Sequence, residues 1–348
     1  MIPFAELKID AMLVSALPNI RYLSGFTGDN ALLLVTPESQ TLFTDPRFTI
    51  QASEECTCAV KIAPRGPVDP YAVEAIHRQK LKRVGFEATR IVYDVHRRLK
   101  EALPLGTSLK PIGPVIENLR MVKSKEEIER IRRSVQTNSQ TFEKTVSSIR
   151  PGVSESAIAA ELEFQMRRLG AEKPAFETIV AAGARSALPH ARPGDRKVNV
   201  NELLLIDMGA CQGGYMSDMT RVLFFGKVSR RLRDMYKAVL NAQLAAIAAV
   251  REGITAGKVD QKARQVLESE GLGKAFVHST GHGLGLEIHE PPRVGRRDKT
   301  RLQAGMVITI EPGAYIQGFG GIRIEDTVLV TKNGCEILTP TSKELILL

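Results

Sequence analysis

The chain has no tryptophan and few other aromatic residues, 12 Phe and 6 Tyr in 348 residues. A stacking platform for single-stranded nucleic acid is therefore not expected, because such sites depend on repeated aromatic faces. Only four cysteines occur, Cys56, Cys58, Cys211 and Cys335, in neither a disulfide framework nor a Cys-x-x-Cys zinc spacing. Reduced thiols in a cytoplasmic protein are the economical reading. The apolar runs, such as 31–35 and 203–206, fall far short of the ~18 residues that span a bilayer. Residues 1–8 lack the basic-then-apolar pattern of a secretion signal. A block of one charge is missing too. The 48 Lys and Arg outnumber the 39 Asp and Glu to give +9, but the basic patches at 96–98 and 293–301 are short or broken by acids, as on solvated faces. Neither nucleic acid nor a membrane is expected as a partner.

What remains is the composition of an ordinary globular protein, 43% hydrophobic and 25% charged, long enough for two domains at roughly 150 residues each. The first ~110 residues alternate strand-like stretches (31–35, 41–44, 58–62) with helical spacing (69–80, 92–102), an α/β pattern without a catalytic cluster. Prolines and glycines at 104–114 are expected to interrupt any element and mark a boundary. Ser124 and Glu127 then form a capping box, opening a helix that should run to about Ser148. Beyond it the chain looks duplicated. Arg150-Pro-Gly-Val-Ser154 with a helical pattern to Gly170 resembles Arg251-Glu-Gly-Ile-Thr255 with a helical pattern to Gly271, an offset of 101 at both ends.

The chemistry starts with acids in the wrong place. The apolar run 203–206 leads straight into Asp207, and 306–310 leads into Glu311. Runs of this kind mark strands buried on both faces, where a carboxylate is costly unless paired, hydrogen-bonded or bound to a metal. A second acid follows each, Asp218 and Glu325. With a turn at Gln212-Gly213, Asp207 and Asp218 would face each other with Cβ atoms about 5 Å apart, and two such charges need a cation between them. The spacing of His278 and His282 is that of a helical zinc pair. Gly281, Gly283 and Gly285 oppose a helix by about 1 kcal/mol each, so an extended strand bringing His282 to the carboxylates fits better. Four carboxylates and one imidazole suit two hard or borderline divalent ions, Mn²⁺, Co²⁺ or Zn²⁺, which together can activate water and polarise a carbonyl.

In combination, Asp207-Met-Gly-Ala with Gly214-Tyr-Met-Ser-Asp-Met-Thr-Arg221, His278-Ser-Thr-Gly-His-Gly-Leu-Gly-Leu-Glu-Ile-His-Glu290, Ile310-Glu-Pro-Gly313 and Gly321-Ile-Arg-Ile-Glu-Asp326 resemble the pita-bread metallopeptidases. Within them the likeness is to the branch of prolidase and aminopeptidase P, supported by Glu172-Lys-Pro-Ala-Phe-Glu-Thr-Ile179, Arg185-Ser-Ala-Leu-Pro-His190 and Tyr22-Leu-Ser-Gly-Phe-Thr-Gly28. The resemblance implies an α+β chain: an N-terminal α/β domain with a mixed sheet over 1–118, then a pita-bread catalytic domain of two related α/β halves over 119–348. It implies that Asp207, Asp218, His282, Glu311 and Glu325 hold two divalent ions, with Mn²⁺ preferred over Co²⁺ or Zn²⁺. It also implies Glu311 as the acid/base, His190 and His289 as substrate and transition-state contacts, and His278, Arg293 and Tyr315 along the substrate site. Arg323, two positions before Glu325 on a strand and thus on the same face, is expected to orient a ligand carboxylate.

The implied activity is cleavage of Xaa-Pro dipeptides by a cytoplasmic homodimer, with longer peptides as the alternative. A guanidinium suits recognition of a terminal proline carboxylate, and Arg293 is placed for it. A methionine aminopeptidase would share the ligands but not the N-terminal domain. A creatinase-like hydrolase or a binding protein on the same fold would not need the intact ligand set.

Overall fold

The computed structural model describes residues 2–348 and divides into two compact units, Met1–Arg120 and Met121–Leu348. No helix in it is long and apolar enough to cross a membrane.

In the first unit a six-stranded mixed sheet runs in the order Ala59–Ile62, Gln40–Thr44, Ala31–Val35, Ala11–Val14, Arg83–Glu87, Ser108–Ile112. The strands expected at 31–35, 41–44 and 58–62 are present, as are helices Asp69–Arg78 and Tyr93–Ala102. One expectation fails. The proline-rich stretch at 104–114 is not free of structure, because Ser108–Ile112 pairs in parallel with Arg83–Glu87. It is an edge strand, where Pro111 is tolerated because its missing N–H costs no inner ladder bond. Both faces of the sheet are covered, by cores around Ile20, Leu33 and Ile116 and around Leu34, Phe43 and Ile76. A buried carboxylate also helps to set the fold: Glu87 accepts the N–H groups of Ser15 and Ala16 at 2.6 and 2.8 Å, at the start of helix Leu17–Ser24, which has no side-chain cap of its own.

The second unit opens with helix Lys125–Val146, started by the Ser124–Glu127 capping box. Two similar halves follow. In one, helix Glu155–Arg168 is associated with the sheet of Ile179–Ala182, Leu203–Met208, Met219–Phe224 and Ile346–Leu347. In the other, helix Ala256–Ser269 is associated with that of Gly281–Gly283, Glu290–Val294, Val307–Ile310, Asp326–Val330 and Cys335–Ile337. The duplication extends to the backbone. Gly152 donates to Val198 and Val198 to Val153, as Gly253 donates to Leu302 and Leu302 to Ile254, and isolated bridges join Ser154 to Lys197 and Thr255 to Arg301. Each helix then ends at a left-handed glycine, Gly170 and Gly271.

Candidate active site

Asp207 sits on the fully buried strand Leu203–Met208, between Ile179 and Thr220 of its neighbours. The hairpin register differs from expectation. Gly213 and Gly214 form the turn, both with positive φ (58° and 77°), and Cys211 pairs with Met216. Two central residues at positive φ are what a tight hairpin turn needs, and two glycines supply them without strain where Gln212 cannot. The register is thereby shifted, so Asp207 faces Thr220, and Asp218, two residues earlier, is its diagonal neighbour. Where the chain passes from one sheet to the next, a Cβ on Gly209 would lie 2.1 Å from the Ser217 carbonyl oxygen. The carbonyls of Met208 and Ala210 on either side accept from Asn138 and Ser134 of helix Lys125–Val146 at 2.9 and 2.7 Å. Polar residues on the buried face of that helix therefore tie down both sides of the interruption at Gly209.

His282 lies on the short strand Gly281–Gly283, extended as expected and wedged between Glu290–Val294 and Val307–Ile310. Only glycine fits beside it, since a Cβ on Gly281 would fall 1.9 Å from the Thr309 carbonyl oxygen and one on Gly283 2.3 Å from that of Pro291. Its Nδ1 lies 3.0 Å from its neighbour's carbonyl at Gly283. That bond assigns the proton to Nδ1 and leaves the Nε2 lone pair free, 3.5 Å from both Asp218 Oδ2 and Glu311 Oε1. Ligand atoms of Asp218, His282 and Glu325 lie within 4.8 Å of one another. All five expected ligands line one cavity of about 840 Å³.

The electrostatics of this cluster are those of a cation site. Burial, and then repulsion from Glu325, Asp207 and Glu311, pushes the Asp218 carboxyl well above its usual range. Glu325 is raised by burial and by Glu311, and Glu311 is pushed up to about 8, first by burial. Asp207 Oδ1 and Glu325 Oε1 are buried with no hydrogen-bond partner among the described residues, an expensive state for carboxylate oxygens. Burial lowers His282 to about 4, keeping its imidazole neutral as a ligand must be. Two orphaned oxygens, a bare imidazole nitrogen and mutually repelling carboxylates fit divalent metal ions.

Arg323 ties two of these acids together. Its Nη2 donates to Asp207 Oδ2 at 2.5 Å and its Nε to the Thr220 hydroxyl at 3.0 Å, which in turn donates to Glu325 Oε2 at 2.7 Å. The expected role of orienting a carboxylate thus has a geometric basis, though the acid it grips is Asp207. The remaining Nη1 donates to the Tyr315 hydroxyl at 2.6 Å, and that hydroxyl lies 2.9 Å from His278 Nε2. His278 Nδ1 is 2.7 Å from the Ser279 carbonyl, so both ring nitrogens are engaged. His278 lines the cavity wall and Tyr315 does not.

His190, His289 and Arg293 also line the cavity. The His289 ring lies edge-on to that of His282 at 4.4 Å, and burial, reinforced by His190, lowers its pKa. Arg293 is exposed and donates from Nε to the Ser279 hydroxyl at 2.9 Å.

Sequence reasoning gave no role to the residues that hold these loops, of which only Glu290 lies in a motif. Glu155 accepts from Ala182 N, Arg185 Nε and Gly194 N, at 2.9, 3.1 and 3.2 Å, closing the loop that carries His190. Asp260 grips the Thr280 N–H and hydroxyl beside His278 and pairs with Arg264. Glu290 accepts the Glu287 N–H at 3.0 Å and pairs with Lys123 at 3.2 Å, pinning the His289 loop from a site almost closed to solvent. Each is a buried carboxylate on or beside an element of the repeat. Buried acids outside the ligand set are the available signal, but burial is not readable from a polar letter.

This geometry has close counterparts. Residues 129–332 match the model of metallopeptidase family M24, and residues 4–122 match the creatinase/prolidase N-terminal domain. The chain is 40% identical over 340 residues to a protein from Pyrococcus horikoshii named Xaa-Pro dipeptidase, covering 97% of this chain and 95% of that one. Among solved structures, one described as an Xaa-Pro dipeptidase from Bacillus anthracis superposes with a TM-score of 0.96 at 37% identity, covering 99% and 97% of the two chains. One described as an X-Pro aminopeptidase from Thermotoga maritima gives 0.93 at 36% identity, covering 99% of each. With a family match over most of its length and a carboxylate cluster built for divalent ions, the chain belongs to metallopeptidase family M24.

Proposed function

We propose that this enzyme hydrolyses the Xaa-Pro bond of dipeptides, with Asp207, Asp218, His282, Glu311 and Glu325 holding two divalent ions, preferably Mn²⁺, and Co²⁺ or Zn²⁺ as substitutes. The observation that carries the reading is that these four carboxylates and His282 line one cavity, with Asp218 and Glu311 each 3.5 Å from the bare Nε2 of His282 and with buried oxygens of Asp207 and Glu325 left unsatisfied among the described residues. When bound, such ions act as Lewis acids on the scissile carbonyl and lower the pKa of water. The chain's own residues do the rest. Glu311 moves the proton from the attacking water towards the leaving proline nitrogen at its carboxylate. His289, neutral because burial lowers its pKa, donates an N–H to the developing oxyanion, with His190 on the same cavity wall. Arg293 takes the proline carboxylate. Arg323, with Tyr315 and His278 behind it, fixes the Asp207 carboxylate; this reading makes Tyr315 a positioning residue and not a substrate contact.

The names of the Pyrococcus and Bacillus proteins support the dipeptide reading, and the Thermotoga likeness supports a second, removal of the first residue from longer Xaa-Pro peptides. The reading includes a homodimer in the cytoplasm, which sedimentation of the purified enzyme tests for assembly. The decisive experiment is turnover of Ala-Pro by chelator-stripped protein before and after adding Mn²⁺. Activity should vanish and return, and full activity in metal-free protein would end this proposal.

A further inference from the structure

A second cavity of about 660 Å³ adjoins the active-site cavity, and His278, Ser279 and Arg293 line both. The two have opposite character. The first is walled by Asp207, Asp218, Glu311 and Glu325. The second is walled by Arg264, Arg293, Arg296 and Arg297, with Asp298 the single acid among the described residues. Arg264 is already matched by Asp260 and lies over the Phe276 ring at 4.2 Å, a fixed wall. Arg296 and Arg297 are exposed and have no carboxylate partner among the described residues.

These two arginines sit on a constructed turn. Gly295 donates to the Arg293 carbonyl at 3.0 Å and Asp298 to that of Gly295 at 3.1 Å, and Gly257 donates to the Asp298 carbonyl at 3.0 Å. The turn rests so closely on the start of helix Ala256–Ser269 that a Cβ on Gly257 would fall 2.7 Å from the Asp298 carbonyl oxygen. Arg297 adopts a left-handed φ of 63°, a conformation unusual for a residue with a side chain.

We infer that the arginine-walled cavity extends the substrate site and takes the carboxylate of a residue that follows the proline. This rests on the Xaa-Pro reading and adds a substrate class to it. A dipeptide ends at Arg293, the residue shared by both cavities. A chain one residue longer reaches about 3.5 Å further, past Arg293 and Ser279, where Arg296 and Arg297 meet its terminal carboxylate or an acidic side chain. The guanidinium groups make this end of the site positive, which draws the peptide's carboxylate. Peptides of the form Xaa-Pro-Asp, or tripeptides with a free terminus, are thus preferred over those whose end is uncharged.

The test compares Ala-Pro-Asp, Ala-Pro-Ala and Ala-Pro-Ala-amide on the Mn²⁺-loaded enzyme and on an Arg296→Ala/Arg297→Ala variant. The unmodified enzyme should favour the free acids over the amide by about tenfold in kcat/KM, through KM, and the variant should bring the ratio near one. Calorimetric titration with Pro-Asp and with proline amide, neither of which needs to be cleaved, should show the same difference in affinity and its loss in the variant. If no Xaa-Pro peptide is turned over, that titration still reads the cavity, separating failure of this inference from failure of the activity. Equal affinity for the acid and the amide, or a preference that survives both substitutions, overturns it.

Discussion

At the residue scale the proposed roles separate groups that hold charge in place from groups that would meet the substrate. Asp218 lies among Asp207, Glu311 and Glu325, and its carboxyl is driven upward by burial and by those neighbours. His289 meets the cluster through its ring contact with His282 and feels the charge of Asp207. Asp218→Asn should therefore lose bound metal together with activity, measured by elemental analysis and Ala-Pro turnover. His289→Ala should keep its metal while kcat falls by about 10²–10³. Equal metal loss in the two variants would show that His289 belongs to the ligand set. The Arg323–Tyr315–His278 chain is the other lesson at this scale: a histidine on a cavity wall can have both nitrogens occupied by protein, so its presence in a motif says little about what it touches.

At the element scale, short strands are positioned by what they lack and by acids that grip their loops. The Gly281–Gly283 strand passes between its neighbours only because no Cβ projects towards the Thr309 and Pro291 carbonyls. Gly281→Ala should displace it, lower the melting temperature by an amount corresponding to about 1–3 kcal/mol, and weaken metal binding, since His282 moves with it. Calorimetry and metal titration on one preparation check both effects. Glu155 acts at a distance, through the loop that carries His190. Glu155→Gln keeps the shape but removes the charge that Arg185 and the N–H groups of Ala182 and Gly194 are arranged around. The expected result is a lower kcat for Ala-Pro with metal content unchanged, and Glu155→Asp should recover part of it. A variant equal to the unmodified enzyme in kcat would remove Glu155 from the positioning scheme.

For the whole molecule, the acid cluster makes stability depend on metal and pH together. Glu311 holds its proton up to about pH 8 in the folded metal-free chain but loses it near the ordinary glutamate value of about 4.3 when unfolded. Between these values the folded state binds more protons than the unfolded state, so unfolding free energy falls as pH rises. Asp218 and Glu325 shift in the same direction. The buried histidines, lowered in the folded state, act oppositely below their ordinary value of about 6.5, so metal-free protein should lose melting temperature from about pH 6.5 to pH 8, while protein saturated with Mn²⁺ should not. Parallel melting curves for the two forms across that range would contradict the linkage.

The sequence alone determined the chemistry and much of the architecture. The apolar runs ending in Asp207 and Glu311 point to a buried and a half-buried charge, because a run covered on both faces carries the residue that follows it towards the interior. The 101-residue offset betrays the two halves because the duplicated turns keep their positive-φ glycines, Gly152 with Gly253 and Gly170 with Gly271. The capping box at Ser124 and the non-helical setting of His282 were legible for the same reason, since they rest on local backbone preferences. Only the tertiary structure decided the rest. The hairpin register turned on whether Gly213-Gly214 or Gln212-Gly213 forms the turn, and a shift there changes which side chains face each other. Ser108–Ile112 became a strand because a sheet edge was available to it. Glu155, Asp260 and Glu290 acquired their roles through partners 3 to 167 residues away, and the two cavities share Arg293 through packing that no local pattern encodes. Local rules act over a few residues, whereas the placing of a buried charge depends on which distant groups can reach it.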